Sequence, residues 1–226
     1  MPEPLVESFR KEFHDVAVYL IEKSLVDHQN FPARRTRSDD VVVLESDYWK
    51  TAPRMQEKVP YSQLYEGAFD ASAYDLRFLD GALVQMRYEF SKRSGQLLRS
   101  SASFLPSPDL TAYQDDPQLY LRDEVYGDVV DPRVVPVPMR VDFDAGAAVD
   151  LHHPHSHMTF GLYEHCRIAV TAAMTPWHFL ELVLRSFYRT KDWLGTDELP
   201  GPRVKMPKTI TPREQELGHF AVPASA

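Results

Sequence analysis

Four of the chain's nine histidines, His152, His153, His155 and His157, fall within the six positions 152–157, directly after Asp150-Leu151. Imidazole titrates near neutrality, and its neutral ring also binds metals, so this density admits two chemistries. In the first, His153 and His157 take a proton from a ribose hydroxyl and return one to a leaving oxygen. Asp142 supports them, Arg140 or Arg87 stabilises phosphate charge by paired hydrogen bonds, and Tyr88 stands nearby. In the second, the alternation of His153, His155 and His157 puts them on one face of an extended backbone. There, with Asp142, they could hold a divalent metal. The stretch lacks the His/Glu spacing of a metalloprotease helix. Against both stands a reading without catalysis: the histidines tie strands together, while Arg87–Glu89 and Arg140–Asp142 are ion pairs on a solvated sheet face.

Composition narrows the field. A formal charge of −8 argues against a general nucleic-acid-binding surface and leaves room for a local basic groove. The single cysteine, Cys166, excludes an internal disulfide and fits a reducing, cytoplasmic compartment. It is expected to be a buried structural thiol, since His165 beside it points to the other side of a strand. The opening Met-Pro-Glu-Pro is unlike a signal peptide, and no apolar run is long enough to span a bilayer. There is no glycine-rich phosphate loop, Gly-x-Ser-x-Gly elbow or dinucleotide fingerprint.

Elements that would carry the site can be read from periodicity. Apolar residues from Leu5 to Leu25 recur at helical spacing. Arg34-Arg35-Thr36-Arg37 reads as a basic loop, Val41 to Leu44 as a short strand, and 46–65 loosely as helix and loop. Val84, Met86, Tyr88 and Phe90 alternate with Gln85, Arg87 and Glu89 in a half-buried strand. A turn at Lys92–Gly95 leads to a returning strand over 96–104. Val137, Met139, Val141 and Phe143 alternate with Arg140, Asp142 and Asp144 in the same way. Further strands are expected at 158–163 and 167–171, and a helix from Thr175-Pro176 to Tyr188. Between the hairpins, 109–131 holds seven acids and one arginine, with a short helix expected near 118–124. The expected fold is α+β: an antiparallel meander packed against a long N-terminal helix and a C-terminal helix. One domain would cover 1–194, comprising a helical part (1–66), a sheet (82–171) and a helix (175–190). An extended or disordered tail would follow over 195–226.

Pro106-Ser107-Pro108-Asp109-Leu110, Arg140-Val141-Asp142-Phe143-Asp144, His153-Pro154-His155-Ser156-His157, Cys166-Arg167-Ile168 and Thr175-Pro176-Trp177-His178-Phe179 resemble the landmarks of a bacterial family labelled only as a domain of unknown function. The resemblance implies no reaction. It does point to Arg140, Asp142, His153, Ser156, His157 and Arg167, adding Ser156 and Arg167 to Arg87 and Tyr88 as substrate-binding positions. From Arg140 to His157 the chain is also similar in outline to small toxins of toxin–antitoxin operons, which are much shorter. The expected function is hydrolysis of RNA or another phosphodiester, as a toxin or phage-defence effector. The alternative is a non-catalytic module whose acidic segment pairs with an operon-encoded protein.

Overall fold

A strand buried on one face must find an apolar layer to lie against, and here helices supply it. The computed structural model describes residues 4–50, 59–108, 137–163, 165–188, 196 and 198–225. In chain order the elements are α1 (Leu5–Glu22), β1 (Val26–Gln29), β2 (Ala33–Thr36), β3 (Val41–Glu45), a 3-10 turn (Asp47–Lys50), α2 (Tyr61–Asp70), β4 (Leu76–Phe78), β5 (Leu83–Ser91) and β6 (Leu97–Leu105). They continue with β7 (Met139–Asp144), β8 (Ser156–Phe160), β9 (Ile168–Ala169), α3 (Pro176–Phe187) and α4 (Pro212–Gln215). The fold is α+β, with one antiparallel sheet of nine strands among the described residues. Its spine runs β5-β6-β7-β8-β9. The other edge of β5 pairs with β4 near its start and β3 near its end, and these carry β1 and β2 outward.

Alternation decides the two faces. Val84, Met86, Tyr88 and Phe90 join Ala102, Phe104, Met139, Val141, Phe143 and Met158 against α1 and α3. Phe9 of α1 sits edge-on to Tyr88 and Phe90, with centroids 4.9 and 5.3 Å apart. On the opposite face, α2 covers only one end of the sheet, where Leu64, Tyr65 and Ala68 meet Leu83 and Leu105. Beyond that end the face is polar.

Several expectations need correction. Arg34-Arg35-Thr36-Arg37 is not a loop: its first three residues lie in β2, paired with β3. Strands β1 and β4 were not anticipated. The strand expected at 158–163 starts earlier and ends at Phe160, where Gly161 takes φ +61 in a turn. The helix expected near 118–124 lies outside the described residues.

Thr175 caps α3 as read, its hydroxyl accepting from the His178 amide, and Pro176 follows at the first helical position. The side chain is fully buried. Thr175→Ala should therefore cost about 1–2 kcal/mol. The check is a lower urea midpoint at unchanged slope.

Residues 198–225 carry little regular structure, and they are docked. Phe220 exchanges backbone hydrogen bonds with Ala169 and Thr171 beside β9. The buried Glu12 carboxylate of α1 accepts from the Arg203 and Val204 amides at 2.7 and 2.9 Å. Desolvation pushes this carboxyl above its ordinary range despite those donors. Among the described residues no helix is long and apolar enough to cross a membrane.

Candidate active-site pocket on the polar sheet face

Strand register builds the site. Arg87 on β5 faces Ser101 on β6, Ser101 faces Asp142 on β7, and Asp142 faces His157 on β8. A second row runs Gln85, Ser103, Arg140, Thr159. Same-face neighbours across a sheet lie within side-chain reach. The short serines of β6 thus leave a trough between the long side chains of β5 and β7. The resulting cavity has a volume of about 380 Å³, closed by Trp49 at the β5 end and by His153, His157 and Arg167 at the β8 end.

The two imidazoles are held in similar ways. His157 is buried, its Nδ1 3.1 Å from the Pro154 carbonyl and its Nε2 3.8 Å from Asp142 Oδ2. His153 Nδ1 lies 3.0 Å from the Ala147 carbonyl. A carbonyl can only accept, so each Nδ1 carries the proton and each neutral ring keeps its lone pair on Nε2. The ring centroids are 4.8 Å apart. Desolvation holds the His157 pKa below its ordinary value, and the Asp142 charge offsets only part of this.

Most of the surrounding charge is already matched. Arg140 Nε meets Asp142 at 2.5 Å, and Arg99 meets Asp144 at 2.9 Å. Arg87 reaches both Glu45 and Glu89 at 2.6 Å and lies over the Trp49 ring. The pairs Arg87–Glu89 and Arg140–Asp142 read from the sequence therefore form, on a face more enclosed than expected. Arg167, by contrast, has no carboxylate or hydrogen-bond partner among the described residues.

The turn before β8 is braced from the docked C-terminal stretch. Asp150 accepts from the Thr211 hydroxyl at 2.6 Å and from Arg213 at 2.9 Å. Buried Glu214, which completes the capping box of α4, also accepts from the Leu151 amide. Leu151 is held at φ +66, a conformation costing a non-glycine residue about 1 kcal/mol that the surrounding contacts must supply.

Of the residues singled out in the sequence, His153, His157, Asp142, Arg140, Arg87 and Arg167 all line the cavity. Two substrate-binding assignments fail. Tyr88 is 2% exposed on the opposite face, packed on Phe9, and Ser156 is 1% exposed there with its hydroxyl donating to the Ala172 carbonyl. Their even-numbered positions put them on the core side of their strands. The metal set His153, His155, His157 and Asp142 does not assemble: His155 does not line the cavity, and Asp142 is engaged by Arg140. Among the described residues no three His, Cys, Asp or Glu side chains come together to hold a metal. Cys166 is half-buried rather than buried, its sulfur accepting from the Phe160 amide. Sequence reasoning missed Trp49, Gln85, Arg99, Ser101, Ser103 and Thr159. The alternation of Ser101 and Ser103 with Ala102 and Phe104 was the available signal.

Fold and site together define an α+β protein with an Arg/His-lined pocket on the open face of an antiparallel sheet. The chain belongs to the family described as uncharacterized conserved proteins (DUF2290), whose model matches residues 25–222. Neither the curated proteins nor the solved structures give a match.

Proposed function

We propose that this protein cleaves RNA phosphodiester bonds by general acid–base catalysis from His157 and His153. The observation that carries the reading is the pair of adjacent imidazoles, each with Nδ1 on a backbone carbonyl, at the arginine-lined end of one pocket. His157 Nε2 would accept the proton of a ribose 2′-hydroxyl as its oxygen attacks phosphorus. The P–O5′ bond breaks, and protonated His153 gives the leaving oxygen its proton. A 2′,3′-cyclic phosphate and a 5′-hydroxyl end result. Arg167 and Arg140 would stabilise charge on the phosphoryl oxygens. Asp142, 3.8 Å from His157, would stabilise the imidazolium that forms.

The test is incubation of purified protein with a single-stranded RNA and its DNA counterpart, with chelator and with added divalent metal. Cleavage of RNA alone, in chelator, leaving cyclic phosphate ends, is the expected result. Equal cleavage of DNA would overturn attack by the 2′-hydroxyl, and a strict metal requirement would overturn the acid–base pair. No cleavage under any condition would favour a module that pairs with a protein partner. In cells such an activity would act as a toxin or defence effector, so expression of the wild type should slow growth.

A further inference from the structure

Four arginines and three carboxylates line the pocket. Arg99 and Arg140 each spend their charge on a lining aspartate, and Arg87 is shared between Glu89 and Glu45 on the neighbouring strand. A phosphate at any of these three would have to share the guanidinium with a carboxylate anchored on an adjacent strand or two residues along. Arg167 is the exception. It is exposed, lines the same pocket as His157 and, among the described residues, has no partner to displace.

We infer that the pocket binds one phosphodiester group, at Arg167 in the pocket that holds the two imidazoles, and that it recognises a dinucleotide-sized unit of its substrate rather than a longer track of RNA. This rests on the phosphodiesterase reading above and narrows its substrate class. Two further observations support it. The volume of about 380 Å³ is near the lower end of the roughly 300–1,000 Å³ typical of small-molecule sites. A polymer track would also need a row of unmatched cations whose phosphate contacts release counterions, whereas among the described residues lining this pocket a single guanidinium is unmatched.

The experiment compares the dinucleoside phosphate UpA with a 12-nucleotide RNA as substrates of the full chain across a series of salt concentrations. KM values within about threefold of each other are expected, with log KM for the longer RNA rising against log salt at a slope of about 0.7, as one released counterion requires for a single strand. A KM at least tenfold lower for the longer RNA, or a slope of about 2 or more, would overturn the inference. Arg167→Gln, which removes no hydrogen bond or ion pair of the described residues, should raise KM for UpA at least tenfold, and an unchanged KM would overturn the assignment to Arg167. Should the wild type cleave nothing, the phosphodiesterase reading fails separately. Calorimetry with inorganic phosphate then judges the anion site alone: one phosphate bound per chain and none to Arg167→Gln supports it, and equal binding to both overturns it.

Discussion

His157→Ala is expected to lower RNA cleavage by about two to four orders of magnitude, the usual contribution of a positioned acid or base. His153→Ala should fall within the same range, and the double variant should lose little more, because the two rings act on one proton circuit. His157 is buried, so its replacement also removes a hydrogen bond to the Pro154 carbonyl, worth about 1 kcal/mol. Thermal melting of each variant separates that loss from loss of chemistry. His153 is only half-buried, which makes its variant the cleaner probe. The pH profile adds a readout that a structural role would not move. Because burial holds the His157 pKa below its ordinary value, the acid limb of the rate profile should lie below the usual histidine titration. Removing the offsetting charge with Asp142→Asn should push that limb lower still. Full activity in both histidine variants would sink the assignment.

The second large effect is on stability, at the buried Asp75. Desolvation raises its pKa from 3.8 to about 7, although Ser46, Tyr48 and the Met86 amide all donate to it or share a proton with it. The Ser46 hydroxyl also contacts the Asn30 carbonyl. It has one proton, so an Asp75 hydroxyl donating to Ser46, which in turn donates to Asn30, satisfies the whole set. With the folded pKa above the unfolded one, the folded state binds more protons between pH 4 and 7. Stability is therefore greatest below the unfolded value and is lost as pH rises through that window, by on the order of 4 kcal/mol from this group. Asp80, raised to about 6 by burial, acts in the same direction, whereas His157 and His178, lowered by burial, act oppositely. Asp75→Asn places an amide donor where the acid hydroxyl would sit. It should keep the fold and flatten the urea-derived stability profile between pH 4 and 7. An unchanged profile would show that Asp75 is not the group responsible.

How much of this could be read beforehand depends on the length and pattern of each element. Long strands with strict alternation declared their faces, which brings Arg87, Arg140 and Asp142 to the cavity; with His153, His157 and Arg167, six of the eight positions assigned to catalysis or substrate binding line it. Tyr88 and Ser156 were chosen for their chemistry against their own parity, which already pointed them toward the helices. Strands β1 and β4 are short and mixed in character, Val-Asp-His-Gln and Leu-Arg-Phe, so no period could emerge. The metal set does not assemble among the described residues, and its one carboxylate, Asp142, already holds a guanidinium. The tail over 195–226 is rich in proline and polar groups, and reads as extended or disordered. Its anchors are Glu12 and Asp150, far away in the chain and invisible to local pattern.

That last attachment has a consequence for biogenesis. The turn bearing His153 is clamped by residues 211–214, some 60 positions later in the chain, and α1 is joined to the same C-terminal stretch across 191. Such long-range closures form late. On a translating ribosome the sheet could pair while the imidazoles still lacked their final setting, which would come only once residues 211–214 had emerged.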